Sequence, residues 1–122
     1  MSHRGHHRVV VLPSAERTVL QTVDIDTLGY TGMRVYVDVT AITDTPILTL
    51  TMSGYDSFAD EIYTLLAGAA IAAISFTQYS VYVGATVTAN VSANQALPDR
   101  VRFGVAVTDA DAATYSITAV LF

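Results

Sequence analysis

Two runs of alternating residues stand out along the chain between Met33 and Ser53. Val35, Val37 and Val39 alternate with Arg34, Tyr36, Asp38 and Thr40; after a break, Leu48, Leu50 and Met52 alternate with Thr49, Thr51 and Ser53. A period of two in a stretch rich in β-branched residues predicts half-buried strands. Between the runs, Thr43-Asp44-Thr45-Pro46 carries turn chemistry, because Asp and Thr side chains bond nearby backbone and proline presets its own φ. The spacing predicts an antiparallel β-hairpin with a short loop, both apolar rows turned to one core. A one-residue slip would turn either row to solvent.

The same reading continues along the chain. Arg17–Asp24 alternates imperfectly and is expected to be the first domain strand, and Ile25–Gly32 a loop. Gly54–Ser57 marks a turn before a strand over Ile62–Leu66. Ala67–Ala73 holds five alanines, but Gly68 and the β-branched neighbours favour a turn and a short strand over a helix. Phe76–Val83 predicts a strand with Tyr79, Val81 and Val83 on one face; Ala85–Ala93 is an edge strand or a loop. Arg100–Thr108 places Val101, Phe103, Val105 and Val107 on one side, and the last strand turns Tyr115, Ile117, Ala119 and Leu121 inward. Seven to nine short strands at this spacing predict an all-β fold, an antiparallel β-sandwich of jelly-roll-like form. Its expected core includes Val35, Val37, Val39, Leu48, Leu50, Val101, Phe103, Val105 and Ile117. Residues 1–15 hold all three histidines, lack a period up to Arg8 and meet Pro13. They read as an extended N-terminal arm, residues 16–122 as the sandwich domain.

Composition narrows the function. Eleven acids against six arginines, with no lysine, give a net charge of −5 and oppose non-specific nucleic-acid binding. No cysteine means no disulfide, thiolate metal site or cysteine nucleophile. The 37 residues from Ile62 to Pro98 contain no Asp, Glu, Lys or Arg. Within them IYTLLAGAAIAAISF runs for only 15 residues, short of the ~20 that a spanning helix needs, and it has no basic flank. The Val9–Leu12 run, cut by Pro13, is too short for the apolar core of a secretory signal. A chain that is 52% hydrophobic yet has a charge-free third points to burial against other subunits.

Candidate chemistry is sparse. His3, His6 and His7 could donate to a metal only if subunits share a site, since a structural zinc site takes four ligands; a polar tail on a neighbour is the preferred reading. The clusters Asp24/Asp26, Asp56/Asp60/Glu61 and Asp109/Asp111 fit no calcium-loop spacing and fall where turns are expected. No serine sits in a nucleophile elbow, and no glycine-rich phosphate loop is present. The expectations are therefore a non-enzyme with no cofactor, no metal, no nucleic acid and no membrane. Arg4, His6, His7, Arg8, Val9, Val10, Val11 and Leu12 are expected to bind a partner as a tether, with Val9–Leu12 adding to its sheet edge. The alternative is that Val9–Leu12 pairs inside its own sheet. Tyr63, Phe76, Tyr79 and Tyr82 are expected at a homo-oligomer seam, because interface cores are poor in charge and rich in aromatics.

The blocks VYVDVTAITDTPILTLTMSGYD, YTLLAGAA, LPDRVRFGVAV and TYSITAVLF, spread from about Arg17 to Phe122, resemble small all-β virion proteins of tailed bacteriophages. The histidine-rich start departs from the Ala/Ser-rich starts of that family. The resemblance implies a virion component: a capsid decoration or accessory protein, trimeric, bound to the major capsid protein or another virion protein. The alternatives are a small tail fibre or adhesin that touches host glycan, and a head–tail connector or tail-tube component. An apolar seam would favour the first; a solvent-facing Tyr and Asp cleft would favour the adhesin.

Overall fold

The computed structural model describes residues 7–56, 58–108 and 111–122. Among these described residues nine strands run in chain order as β1 (His7–Arg17), β2 (Gln21–Asp26), β3 (Gly32–Ile42), β4 (Leu48–Asp56), β5 (Glu61–Ala67), β6 (Ser75–Tyr82), β7 (Ser92–Ala93), β8 (Arg100–Val107) and β9 (Ala113–Leu121). Sheet A has the order β1-β9-β3-β6-β7 and sheet B the order β2-β8-β4-β5. All pairings are antiparallel except the two-residue β6–β7 contact. Leaving β7 aside, each sheet has four strands and the chain crosses from one to the other at every connection but β4–β5. That wrapping is a jelly roll, as the alternating rows led one to expect.

The rows that face one another make the core. Val35, Val37, Val39, Leu48, Leu50, Val101, Phe103, Val105 and Ile117, the expected set, are all buried. Sheet A adds Met33, Tyr79, Val81, Tyr115, Ala119 and Leu121; sheet B adds Met52 and Leu66. Strand β9 lies between β1 and β3, and its inward row of Ala113, Tyr115, Ile117, Ala119 and Leu121 has no exposed surface. Inward and outward residues alternate without a fault, which is what the period of a pleated strand requires.

Gly54–Asp56, expected in a turn, instead ends β4 and pairs with β5, and three larger expectations need correction. The first concerns the turn at Thr43–Pro46. Strands β3 and β4 do not pair; they lie in opposite sheets, and the turn is an arch between them. Its backbone partners are in the neighbouring 108–112 connection: Thr43 N–H donates to the Ala112 carbonyl at 2.9 Å, and Thr108 N–H donates to the Ile47 carbonyl at 3.1 Å. Asp44 adopts a left-handed φ of 63°, and Pro46 is buried. Facing rows on two sheets satisfy the same alternation as adjacent rows on one.

The second concerns the arm. Residues 7–15 are not outside the sandwich: β1 pairs along β9 from His7↔Leu121 to Arg17↔Ala113. Register shifts between Val10 and Leu12 and between Leu12 and Ala15 let the adjacent residues Val11 and Leu12 both enter the core. Those irregularities erase the period of two in VVVLPSA, so the strand was illegible by alternation. The third is the strand over Arg17–Asp24. It breaks at Thr18–Leu20, where the chain leaves sheet A for sheet B, and Val19 and Leu20 are exposed.

Candidate functional site

The eight tether residues divide. Arg4 and His6 lie outside the described residues. His7 stacks on Tyr30, ring centroids 6.0 Å apart. Arg8 and Val10 point outward from β1, Val9 is half-buried, and Val11 and Leu12 belong to the core. Val9–Leu12 therefore pairs with its own sheet, not a neighbour's. The outer edge of β1 is poorly suited to strand addition as well: it carries Pro13 and two register shifts. Arg17 folds back to donate to the carbonyls of Pro13, Ala15 (3.3 Å) and Tyr115 (2.8 Å).

The four seam residues do not form one surface. Tyr79 is only 2% exposed, in the core beside Gly68, so it cannot anchor a partner. The Tyr63 ring lies over Gly54, filling the space that a side chain there would need. Phe76 is 65% exposed on the outer face of sheet A and stacks on Tyr36 at 5.6 Å. Tyr82 is half-buried on that same face and meets the Phe122 edge at 6.0 Å, the two closing over Gly32. Composition does not tell which face an aromatic strand residue takes; its parity within the strand does.

Part of the charge-free segment comes together where the edge strand β5 meets the connection between β6 and β8. Neutral groups organise that connection. Gly84, at φ 94°, receives support from Asn94, whose Oδ1 accepts its N–H at 2.8 Å. The Ser92 hydroxyl donates to the Thr86 carbonyl (2.6 Å) and accepts the Thr88 N–H (2.9 Å). Asn90, left-handed at φ 64°, donates from Nδ2 to the Ala67 carbonyl at 2.8 Å, and Gln95 Nε2 to the Leu65 carbonyl at 3.4 Å. These side chains cap part of the β5 edge. A partner there meets side chains, not an open row of backbone groups.

The connection also presents Val83, Val87 and Val91 to solvent, as β5 presents Ile62; Val83 and Val87 are 67% and 66% exposed. A shallow groove of about 420 Å³ runs between Thr64–Ala67 and the Val87–Gln95 stretch. These valines were absent from the expected seam. Their four-residue spacing among Gly, Ala, Ser, Thr and Asn was the available signal, although it fits neither strand nor helix.

The outer faces of the two sheets differ in charge. On sheet B, Asp24 accepts from Arg102 Nε at 2.7 Å and from Nη2 at 2.9 Å, a forked pair that holds the Asp24 carboxyl below the usual carboxylate range. Arg100 and Arg102 lie over the Tyr55 ring, 5.5 and 5.9 Å from its centroid. The Tyr55 hydroxyl donates to Asp60, which raises the Tyr55 pKa. On sheet A, Arg8, Val120 and Arg34 occupy one row across β1, β9 and β3. They line a depression of about 310 Å³ with Tyr36 and Phe122. Among the described residues no group of three or more His, Asp or Glu converges as a metal site, and no helix is long and apolar enough to cross a membrane.

The fold has solved counterparts. A chain from the structure of infectious bursal disease virus, Gx strain, superposes with a TM-score of 0.54 at 10% identity, over 98% of this chain and 33% of that one. The chain thus spans about a third of the length of that counterpart. The SPBc2 prophage-derived protein YomS gives a TM-score of 0.49 at 11% identity, over 100% of this chain and 97% of that one. At such identities the first likeness shows a shared β-sandwich fold. Neither a protein family nor a curated protein matches the sequence.

Proposed function

We propose that the chain is a structural protein of a tailed-bacteriophage virion, non-catalytic, bound to the assembled head as a decoration or accessory subunit. The charge-free flank carries this reading. A net charge of −5 is distributed over the rest of the chain while Ile62–Pro98 has none, and the structure turns Ile62, Val83, Val87 and Val91 of that segment to solvent. An apolar patch of this kind on an acidic domain suits a subunit contact. Asn90, Asn94 and Gln95 in the same stretch already hydrogen-bond to backbone of their own domain. The virus structure that shares the fold supports a virion setting, and the resemblance of the sequence blocks to small phage virion proteins points the same way.

The flank closes as a homo-oligomer, a trimer, or against the major capsid protein. Sedimentation velocity separates these: a wild-type trimer that Val87→Asp reduces to a monomer supports self-association. A monomer in both cases leaves the shell as the partner, read by co-sedimentation with heads that lack the protein. Cryo-EM of the virion then tests the station itself. Density for the sandwich on the outer head supports the proposal; density only at the tail or connector replaces it by the adhesin or tail-tube reading, and absence from purified particles refutes a virion role.

A further inference from the structure

We propose that one end of the sandwich, formed by the β2–β3 and β4–β5 turns, docks on a different protein. Leu28 and Phe58 enter an apolar depression there that has a basic rim. Phe58 is 99% exposed and Leu28 71%, the two highest values of any large apolar side chain among the described residues. Both stand on the same device. Asp26 Oδ1 accepts the Leu28 N–H at 3.0 Å, and Asp56 Oδ1 accepts the N–H groups of Phe58 at 3.0 Å and Ala59 at 3.3 Å. Each is an aspartate turn that fixes the backbone two residues on, and in each the fixed residue is the exposed apolar one. Strands β2 and β4 flank β8, so the two turns begin two strand spacings apart, roughly 10 Å, at one end of sheet B.

The turns are tied down behind these side chains. Thr27 is buried; its hydroxyl donates to the Pro98 carbonyl at 2.6 Å and its N–H to the Asp99 carbonyl at 3.0 Å. In the other turn the Tyr55 hydroxyl donates to Asp60, whose φ of 57° is left-handed, and Arg100 and Arg102 lie over the Tyr55 ring. A loop already ordered around an exposed apolar side chain pays little further ordering when a partner covers it. Charge then names the partner. Asp26, Asp56, Asp60, Glu61 and Asp99, five of the chain's eleven acids, are exposed on these turns and on the residue before β8. Asp26, Asp99 and Arg100 line a depression of about 260 Å³ with Leu28. Facing surfaces at an interface carry opposite potentials, so the surface that receives Leu28 and Phe58 bears Lys or Arg around its apolar centre. The same acids repel an anionic lipid surface, and they repel the same end of a second copy.

No residue is shared with the valine contact, so the two readings fail separately. The test places the photo-crosslinking amino acid p-benzoylphenylalanine at position 58 of the full chain, made in the cells that naturally produce it, and identifies the crosslinked peptide by mass spectrometry. The expected result is an adduct with a different protein, at apolar residues flanked by Lys or Arg. Leu28→Ser should lower its yield by roughly fivefold, and the double reversal Glu61→Lys/Asp99→Lys by about tenfold. All three sites are exposed, so melting should be unaltered; Leu28→Gln stands in if Leu28→Ser destabilises the domain. The same crosslinker at position 87 reports the valine contact. An adduct there and none at position 58 keeps the head reading and overturns this one. An adduct at position 58 with a basic, apolar surface of a protein foreign to virions upholds this one and counts against the head reading. No adduct at position 58, an adduct with lipid or only with another copy of this chain, a receiving surface without Lys or Arg, or a yield indifferent to the variants would overturn the proposal.

Discussion

Strand β9 and the connection from Val83 to Pro98 are made of similar material and end in opposite environments. Neither contains a charged residue, and both are rich in Ala, Val, Ser and Thr. In β9, polar and apolar residues alternate strictly, strands lie on both sides, and five inward residues are sealed from solvent. The connection has its valines at every fourth position and only a two-residue strand, so no sheet can gather Val83, Val87 and Val91 on one inner row. Hydrophobicity alone does not bury a residue. A period that matches a pleated strand does, and apolar residues without it become surface available to a partner.

The largest effect should come from removing the strand that flanks β9. Deleting Met1–Leu12 takes away Val11 and Leu12 from the core and most of the β9 pairing partner. The expected outcome is loss of cooperative thermal unfolding; a truncated domain that melts like wild type would show that β1 is dispensable to the sandwich. Next is a truncation inside the facing rows. Phe103→Ala, at a site with no exposed surface, should cost about 3–5 kcal/mol in denaturant unfolding, with Ile117→Ala on β9 costing about 2–5. Values under about 1 kcal/mol at both sites would contradict the packing described, given how large buried truncations normally are.

Tyr115 gives a smaller effect of opposite sign. Its hydroxyl is buried and has no hydrogen-bond partner among the described residues, while Arg17 lies 4.8 Å from the ring centroid. Tyr115→Phe keeps the ring and removes the unpaired donor, so stability should rise by about 1 kcal/mol. Burial also raises the pKa of Tyr115, against a lesser opposing pull from Arg17, and raises that of Tyr79. The folded state then holds these protons where the unfolded chain releases them. Stability is fully present below about pH 10 and falls as pH rises through and beyond it. The double variant Tyr79→Phe/Tyr115→Phe should flatten that alkaline fall in a denaturation series; an unchanged slope would assign it to other groups.

The smallest effect on stability should be at the connection. Val87→Asp places a charge on an exposed site and should change unfolding free energy by no more than about 0.5 kcal/mol, as surface substitutions do. Its consequence is confined to association. A large destabilisation would mean that Val87 packs within its own domain, and the contrast with β9 would fail.

The alternating rows told which residues of β3, β4, β8 and β9 face inward, because parity along a strand is a local property that sequence carries directly. They told nothing reliable about neighbours. Whether β3 and β4 lie side by side or across the core depends on distant partners, and here the 108–112 connection holds the arch between them. The place of β1 was hidden for a different reason: its register shifts destroy the very period by which a strand is read, and only the pairing with β9 shows how Val11 and Leu12 are both buried. The absence of charge from Ile62–Pro98 was plain in the sequence, but not which of its side chains would be outside. Tyr79 went to the core and Val87 to the surface once pairing with β3 set the face of β6 and side-chain amides folded the connection. The arginine pair needed the tertiary structure most. Arg8 and Arg34 are 26 positions apart in the chain, and only the insertion of β9 between β1 and β3 sets them in one row. Local periodicity determines which way a residue faces; chain crossing between sheets determines what it faces.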